Sequence, residues 1–429
     1  MRVLGAVTLM QCAPAQAACD NASPSTGQTV TCDSSAPNPS RTAIVAAPGS
    51  THVTIHVLSG AELEVSDNNV VFVRDLSTVT NAGTLRQTAN GFDAISSQGS
   101  DAGHNVLTNS GTITTTGAQS EAMFNNAAAA QMSNQASGYL QTNGDESSAM
   151  LDFQGPGGST LINDGHIVTL GSGSYGMEAA SPNDRVVNNG TIDANGVSAA
   201  GLYLTGSHTG SATVINNGTI HVPGAGGIGI VTLNDDPVMV MNNGTIVVDG
   251  PQSFGAFLNG PATFVNGPGA RIDGPQFGGV IANRGGAITN AGTINVSGVG
   301  IFVGGPATIT NSGSIVTSAY IAVQAQGQGD VNLYNSGLLS GPVAAVQTDT
   351  GNDTFTMSAG STSGIVNLGG GANSIALTGG TVGSGIVTEP GPSDTLTWTR
   401  GGTIVGNVSL AGTNNLATLT GLTGANVSN

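Results

Sequence analysis

Val214-Ile215-Asn216-Asn217-Gly218-Thr219-Ile220-His221-Val222 is the stretch that decides the fold, because close copies of it recur along the chain. Asn217 and Gly218 tolerate positive φ, which predicts a sharp turn, and apolar residues flank this turn on both sides. After the turn, Ile220 and Val222 share one face of a strand, and the polar residues beside them take the other face. The stretch therefore predicts a turn between two strands that each have an apolar face.

The pattern of Asn, a second residue, Gly and a Thr-Ile pair recurs at nearly constant spacing. Its glycines are Gly83, Gly111, Gly165, Gly190, Gly218, Gly244, Gly292, Gly313 and Gly337. Most successive glycines lie one repeat apart, and two gaps are close to double that length. Each long gap holds a degenerate copy, at 140–144 and at 266–272. The clearest turn pairs are Asn189-Gly190, Asn217-Gly218 and Asn243-Gly244.

Repeats of this length, each too small to bury its own apolar face, are typical of solenoids. The units are rich in Gly, Asn, Thr and Ser and alternate with period two, which argues against helical repeats. Leucines at the fixed offsets of leucine-rich repeats are missing. We therefore predict an all-β fold, a single-stranded right-handed parallel β-helix with about 20–28 residues per coil. Stacked coils would form a rod of about 16 coils, roughly 75–80 Å long.

The recurrent Asn allows two interpretations. In the first, it occupies the same corner of every coil, and its side-chain amides hydrogen-bond up and down the stack. In the second, the row of amides binds a sugar or an ion, although nothing in the spacing requires a ligand. The first interpretation is the simpler one, and it assigns the Asn a structural role.

The composition limits the possible partners. Only 8% of the residues are charged, 38% are hydrophobic, and the formal net charge is −17 from 25 acidic and 8 basic side chains. This charge repels phosphate backbones, so a nucleic acid is not an expected partner. No apolar run is long enough to predict a transmembrane helix.

The N-terminal segment, residues 1–41, differs from the repeats. Residues 1–17 have a basic residue, a short apolar run and an Ala-Gln-Ala end, which predicts a secretory signal peptide, truncated if its true start lies upstream. Residues 18–41 are expected to form a cap and linker. Two cysteines, Cys19 and Cys32, would form a disulfide in an exported protein, and two idle thiols are the alternative.

The rest of the chain consists of two segments with different repeat patterns. Residues 42–348 carry the Asn-x-Gly-Thr-Ile coils, and residues 349–429 carry shorter coils in which an Asp-Thr-Leu-Thr pattern recurs. Residues 121–138 are the least regular and are expected to be a short helix or a side loop. The chain stops in the middle of a repeat, so we expect that more chain follows.

No catalytic, cofactor or metal site is predicted. His52 and His56 are a conceivable zinc pair without a third ligand, and His104, His166, His208 and His221 are expected to be isolated and exposed. Gly-Asn-Asp at 351–353 resembles calcium-binding repeats only faintly, because the period is about twice too long. Trp398 is expected to fill the core, with a sugar platform as the alternative.

An Ala-x-Ala signal, a close Cys pair and Asn-x-Gly-Thr-Ile coils that end in Asp-Thr-Leu-Thr coils resemble the passenger region of bacterial autotransporters. The resemblance covers nearly the whole chain, but it rests on the residue pattern and spacing of the repeats. It implies export through the periplasm, an outer-membrane barrel in cis or in trans, and display at the outer-membrane surface or release. The chain departs from the family in lacking the C-terminal barrel and an Arg-Gly-Asp tripeptide.

Two functions follow. The first is a non-enzymatic adhesin or virulence factor that contacts a host or neighbouring cell surface, protein or glycan. The second is a secreted β-helix enzyme, a lyase or hydrolase that degrades polysaccharide and needs clustered carboxylates. Only Asp145-Glu146 and Asp235-Asp236 are adjacent acidic pairs on plausible loops, so the sequence favours the adhesin.

Overall fold

The computed structural model describes residues 18–100, 102–153, 157–206, 212–233, 237–422 and 427–428. Within these ranges the regular secondary structure consists of β-strands, without helices. The strands form three parallel sheets, which we name A, B and C. From Thr54 onward the chain passes through A, B and C in turn and then returns to A beside the previous strand. The sheets have 17, 16 and 16 strands, so the predicted parallel β-solenoid of about 16 coils is confirmed.

Most sheet A strands end on the recurrent Asn, sheet B strands follow the recurrent Gly, and sheet C strands complete each coil. Sheet A consists of Thr29–Cys32, Thr54–Val57, Thr78–Asn81, Val106–Asn109, Gln131–Asn134, Thr160–Asn163, Arg185–Asn188, Ala212–Asn216, Val238–Asn242, Ala262–Asn266, Gly286–Asn290, Ala307–Asn311, Val331–Asn335, Thr354–Met357, Ser374–Leu377, Thr395–Thr399 and Leu416–Thr420. Sheet B consists of Glu62–Val65, Thr84–Gln87, Thr112–Thr115, Tyr139–Thr142, His166–Thr169, Thr191–Ala194, Thr219–Val222, Thr245–Val248, Arg271–Asp273, Thr293–Val296, Ser314–Thr317, Leu338–Ser340, Ser361–Ser363, Gly380–Val382, Gly402–Val405 and Val427–Ser428. Sheet C consists of Ile44–Val45, Val71–Val73, Ile95–Gln98, Met123–Asn126, Met150–Asp152, Tyr175–Ala179, Ala200–Leu204, Ile228–Thr232, Phe254–Leu258, Gly278–Ala282, Val299–Val303, Ile321–Ala325, Ala344–Gln347, Val366–Asn367, Ile386–Val387 and Val408–Ser409.

The core is a continuous column of aliphatic side chains inside the coils. In sheet B, Ile192, Ile220 and Ile246 lie in register on three successive strands, and each is fully buried. His221, next to Ile220, is on the outer face, as the alternation predicts. Removing one such aliphatic side chain from water contributes about 1.5–3 kcal/mol. No single coil can obtain this burial without its neighbours.

Two sequence-based expectations about coil boundaries are wrong. Residues 121–138 are neither a helix nor a side loop, because they contain the regular strands Met123–Asn126 and Gln131–Asn134. The degenerate copy in the first long gap begins at Asn134, not at Leu140, and extra residues separate this Asn from Gly138. Because of these inserted residues, the copy does not match the Asn-x-Gly pattern in the sequence. The second degenerate copy, 266–272, is placed correctly.

The ends of the described chain also belong to the stack. Thr29–Cys32, inside the segment expected to be cap and linker, already pairs with Thr54–Val57. Trp398 is buried and donates its Nε1–H to the Gly402 carbonyl at 3.0 Å, so it fills the core. The proposed signal peptide, residues 1–17, lies outside the described residues. In the described ranges, no helix has the length and apolar character needed to span a membrane.

Candidate functional site

The recurrent Asn forms a ladder inside the stack. From Asn81 to Asn335, the Nδ2 of each Asn at the end of a sheet A strand donates to the Oδ1 of the Asn on the next coil, at 2.7–2.9 Å. These side chains are essentially inaccessible to solvent; Asn216, for example, is 0% exposed. The buried row therefore has a structural role and offers no surface to a sugar or an ion.

The predicted turn residues form a second, exposed ladder beside the first. Asn243 donates to Asn217, and Asn217 donates to Asn189, at 2.9 and 2.8 Å. Asn189 in turn donates to Asp164 at 2.7 Å. The donor direction is opposite to that of the buried ladder. These Asn side chains connect coils at the surface and already use one another as partners.

The reason for the glycine in each turn differs from the sequence-based expectation. Neither Asn217 nor Gly218 has a positive φ, so the expectation of a left-handed turn there is wrong. A Cβ at Gly218 would instead lie 2.0 Å from the carbonyl oxygen of Gly190. Gly190 and Gly244 are restricted in the same way by the coil that precedes each of them. Glycine is needed because the stacked backbones approach closely.

Cys19 and Cys32 form a disulfide at the first strand of sheet A. Cys32 is the last residue of Thr29–Cys32 and is fully buried against the first coils. The bond ties the residues that precede the stack to its first paired strand. The disulfide therefore has a structural role, and it lies far along the chain from the groove described below.

The expectation that His166 and His221 are isolated is wrong. His166 Nε2 lies 2.7 Å from Asp193 Oδ2, and His221 Nδ1 lies 3.4 Å from the other oxygen of Asp193. His221 Nε2 also lies 3.2 Å from Asp249 Oδ2. These residues form a row on the outer face of sheet B. Within the described residues, no group of three or more His, Cys, Asp or Glu side chains is arranged to hold a metal ion.

The strongest candidate site is a groove on the outer face of sheet C, which we call the sheet C groove. It has a volume of about 550 Å³, within the range of small-molecule sites. It extends over the three coils that contain Met123–Asn126, Met150–Asp152 and Tyr175–Ala179. Its lining residues are Gln119, Glu121, Phe124, Glu146, Ser148, Leu151, Phe153, Gly173, Tyr175 and Glu178.

Coil stacking produces two columns of side chains in this groove. Glu121, Ser148 and Tyr175 stand just before or at the start of their sheet C strands, on successive coils. Phe124, Leu151 and Glu178 stand in register within those strands. Ser148 joins the columns, because its Oγ–H donates to Glu178 Oε2 at 2.7 Å. The groove is therefore built on strands, which hold its side chains in fixed positions.

Glu121 and Asp93 form a pair of acids on adjacent coils. The Glu121 backbone N–H donates to Asp93 Oδ1 at 3.2 Å, and the two carboxyl groups interact directly. Burial, together with the neighbouring Asp93, raises the pKa of Glu121 to about 10. Burial also raises the pKa of Asp93. Glu121 thus carries a proton at neutral pH and shares it with Asp93, which leaves its other oxygen able to accept a hydrogen bond.

Glu178 is the second buried acid of the groove. Burial raises its pKa, and the hydrogen bond from Ser148 opposes this shift in part. Glu146 differs, since it lies exposed at the rim and accepts a hydrogen bond from Gln119 Nε2 at 2.9 Å. The groove thus combines two desolvated carboxyl groups with one exposed carboxylate side chain.

Aromatic rings form the remaining walls. The centroids of Phe124 and Phe153 are 6.3 Å apart with an interplanar angle of 34°, and Phe153 is 38% exposed. Tyr175 stacks on Tyr203 at 4.0 Å with nearly parallel rings. A second, smaller groove of about 200 Å³ shares Tyr175 and continues along sheet C past Tyr203 to Phe254 and Phe257. Rings and apolar side chains thus follow the outer face of sheet C for several coils.

Sequence reasoning missed this site because it looked for neighbours along the chain. Glu121 lies one coil after Asp93 and two coils before Glu178, so none of these acids is close to another in the sequence. Of the two acidic pairs that the sequence singled out, Asp145-Glu146 supplies Glu146 to the rim. Asp235 and Asp236 lie outside the described residues. Applying the coil period to the acids would have aligned Asp93 with Glu121.

A family model described as the BigA third pectate lyase-like domain matches residues 53–269, about half of the chain. Comparison with curated proteins and with solved structures gives no match. The matched range includes every residue that lines the sheet C groove and the coils on both sides of it.

Proposed function

This chain belongs to the family of the BigA third pectate lyase-like domain, and on this premise we propose that it is a non-enzymatic, adhesin-like rod of a bacterial cell surface. BigA is an autotransporter-like adhesin, which supports a role in contact between surfaces. The finer proposal is that the chain is an autotransporter passenger, exported through the periplasm and displayed at the outer membrane or released. A barrel supplied in cis or in trans would carry it across the outer membrane.

The observation that carries the proposal is the sheet C groove with its continuation. The outer face of sheet B carries mainly polar residues such as Thr191, Asp193 and His221. Sheet C instead presents aromatic rings next to a few convergent polar groups. Such a concave, partly apolar surface with few polar groups is typical of binding sites. A regular rod with one such face is suited to holding a ligand away from the cell.

The disulfide between Cys19 and Cys32 supports export, because disulfides persist in the periplasm and outside the cell. The net charge of −17 repels nucleic acid. The partner that we propose is a host or neighbouring cell surface.

Binding of the purified, fluorescently labelled chain to a panel of bacterial and epithelial cells tests this function. We expect saturable binding to at least one cell type, and a large excess of unlabelled chain should displace it. A folded, acidic protein of similar net charge serves as the control for nonspecific adhesion. Binding no greater than this control on every cell type would contradict the proposal.

The alternative is a β-helix enzyme that cleaves polysaccharide, favoured by the acids of the sheet C groove. A glycosidase needs one protonated and one ionised carboxyl group across the scissile bond. Here Glu121 and Glu178 both have raised pKa values, and each interacts with a neighbouring side chain. Release of reducing ends from a glycan by the chain, abolished in Glu178→Gln, would establish the enzyme instead of the adhesin.

A further inference from the structure

We propose that the sheet C groove binds an uncharged sugar unit of a surface glycan, stacked on its aromatic walls and hydrogen-bonded by its carboxyl groups. This inference names the ligand class of the adhesin-like function proposed above and rests on it. It is carried by the shape of the groove, by the kinds of side chain that line it and by their protonation.

The aromatic walls match the apolar faces of a pyranose ring. Phe124 and Phe153 are inclined to each other by 34°, and Phe153 extends to the rim. Tyr175 is braced from behind by Tyr203, which keeps its ring in place. Rings held in this way provide a flat contact area at little cost in conformational entropy. The volume of about 550 Å³ accommodates one or two sugar units.

The polar groups offer both donors and acceptors, as the hydroxyl groups of a sugar require. The Glu121 carboxyl, whose proton is shared with Asp93, offers an oxygen that accepts, and Glu146 at the rim also accepts. Gln119 can do both with its amide. Glu178, hydrogen-bonded by Ser148, retains a second oxygen that can face a ligand. A ligand that only donates or only accepts would leave part of this set unpaired.

The charges of the groove argue against an acidic sugar. No Lys or Arg stands among the residues that line it in the described part of the chain, so a uronate or sialate carboxylate would find no cation there. Such a ligand would instead approach the acids Glu146, Glu121 and Glu178. Burying an unpaired charge beside them is costly.

A cationic ligand is the main competitor, because acids and aromatic rings also surround ammonium groups. It would pair well only after the acids lose their protons, and burial opposes this loss at Glu121, Asp93 and Glu178. The neutral state of Glu121 at physiological pH favours the uncharged ligand. The two ligands also differ in their response to pH. A sugar should bind less tightly as the pH rises from neutral toward the Glu121 pKa of about 10, whereas an amine should bind more tightly while it keeps its own charge.

Calorimetric titration of the full chain with neutral hexasaccharides of glucose, mannose, galactose and N-acetylglucosamine tests the proposal, with hexalysine as the cationic probe. We expect at least one neutral hexasaccharide to bind, and Phe153→Ala to weaken it about tenfold, which corresponds to about 1.4 kcal/mol. Phe153 is partly exposed, so its truncation should leave the fold intact. Tyr175→Ala should have an effect at least as large. Tyr334→Ala, at an exposed Tyr of sheet A, is the matched control and should change nothing.

Binding of hexalysine alone, binding of no probe, or sugar binding that survives both groove substitutions would overturn the inference. The proposed adhesin-like function has its own test, since cells can bind the chain through another surface. If cells bind the chain while no neutral hexasaccharide does, the ligand class is wrong and the adhesin-like function stands. If periodate treatment of the cells, which destroys sugar diols, abolishes adhesion, the glycan assignment is supported.

Discussion

At the scale of single residues, the chain uses Asn and Gly for purposes that the sequence only partly reveals. The sequence predicts that the repeated Asn lies at a corner of each coil with its amide hydrogen-bonded to the next coil, and the structure confirms this ladder and shows that it is buried. The repeated Gly was expected to provide a left-handed turn, and it instead leaves room for the backbone of the preceding coil. Both residues are required by contacts between stacked coils, and the sequence of a single repeat does not show these contacts.

Adjacent asparagines in one turn provide a matched test of the buried ladder. Asn216 is fully buried and bonded to two ladder partners, whereas Asn217 is exposed. We expect Asn216→Ala to lower the free energy of unfolding by about 1–3 kcal/mol, because it removes the ladder acceptor of Asn188 Nδ2 and the ladder donor to Asn242 Oδ1 inside the stack. Asn217→Ala should cost about 0.5 kcal/mol or less. Urea denaturation followed by circular dichroism measures both, and equal losses would mean that the ladder does not stabilise the rod.

Two glycines test the role of close approach. A Cβ at Gly218 would overlap the Gly190 carbonyl, so we expect Gly218→Ala to cost about 1–3 kcal/mol through displaced backbone. Gly370 also lacks a positive φ, and a Cβ there would meet nothing closer than 3.5 Å. Gly370→Ala should therefore be within about 0.5 kcal/mol of wild type. Thermal unfolding of the two variants checks this contrast, and a similar midpoint for both would refute the steric explanation.

At the scale of elements, each strand alternates between the common core and one outer face. This alternation was predictable, since Ile220 and Val222 share a face in any extended strand. The identity of the outer neighbours was not, because it depends on the length of each coil. Glu121, Ser148 and Tyr175 meet only when three successive coils are stacked in register. A single insertion within a coil would change the groove and leave the local pattern intact.

Ile220→Asp tests the assignment of inner and outer faces. A carboxylate in the column between Ile192 and Ile246 should destabilise the local coils by more than about 3 kcal/mol. Because each coil contacts mainly its neighbours, we expect the loss to be confined to nearby coils in hydrogen exchange. The exposed control is His221→Gln. His221→Asp is a poor control, although His221 is on the outer face, because it would add a third carboxylate between Asp193 and Asp249.

At the scale of the whole molecule, buried acids should make the rod most stable at acidic pH. Among the described residues, five carboxyl groups have raised pKa values: Asp93, Glu121, Glu178, Asp184 and Asp353. The pKa values of Asp184 and Glu121 are about 9 and about 10. Above the pKa values of the unfolded chain, the folded state binds more protons, so the free energy of unfolding falls as the pH rises. The stabilisation is complete below about pH 4 and is lost progressively up to about pH 10.

Melting temperatures between pH 4 and pH 10 measure this dependence. We expect a steady decrease across the range, and Glu121→Gln should flatten its alkaline part because the amide has no proton to lose. A net charge of −17 contributes in the same direction through self-repulsion, which added salt screens. A melting temperature that rises with pH, or a slope in Glu121→Gln equal to that of wild type, would contradict the assignment of the protons.

The sheet C groove is, in our proposal, the face by which the rod holds its partner. The most direct measurement is the amount of chain bound to a cell type that binds wild type, compared among wild type, the Phe153→Ala/Tyr175→Ala double variant and Tyr334→Ala. We expect the double variant to lose at least about 90% of adhesion. The Tyr334→Ala rod should match wild type, and all three should have the same circular dichroism spectrum. Undiminished adhesion by the folded double variant would contradict the claim.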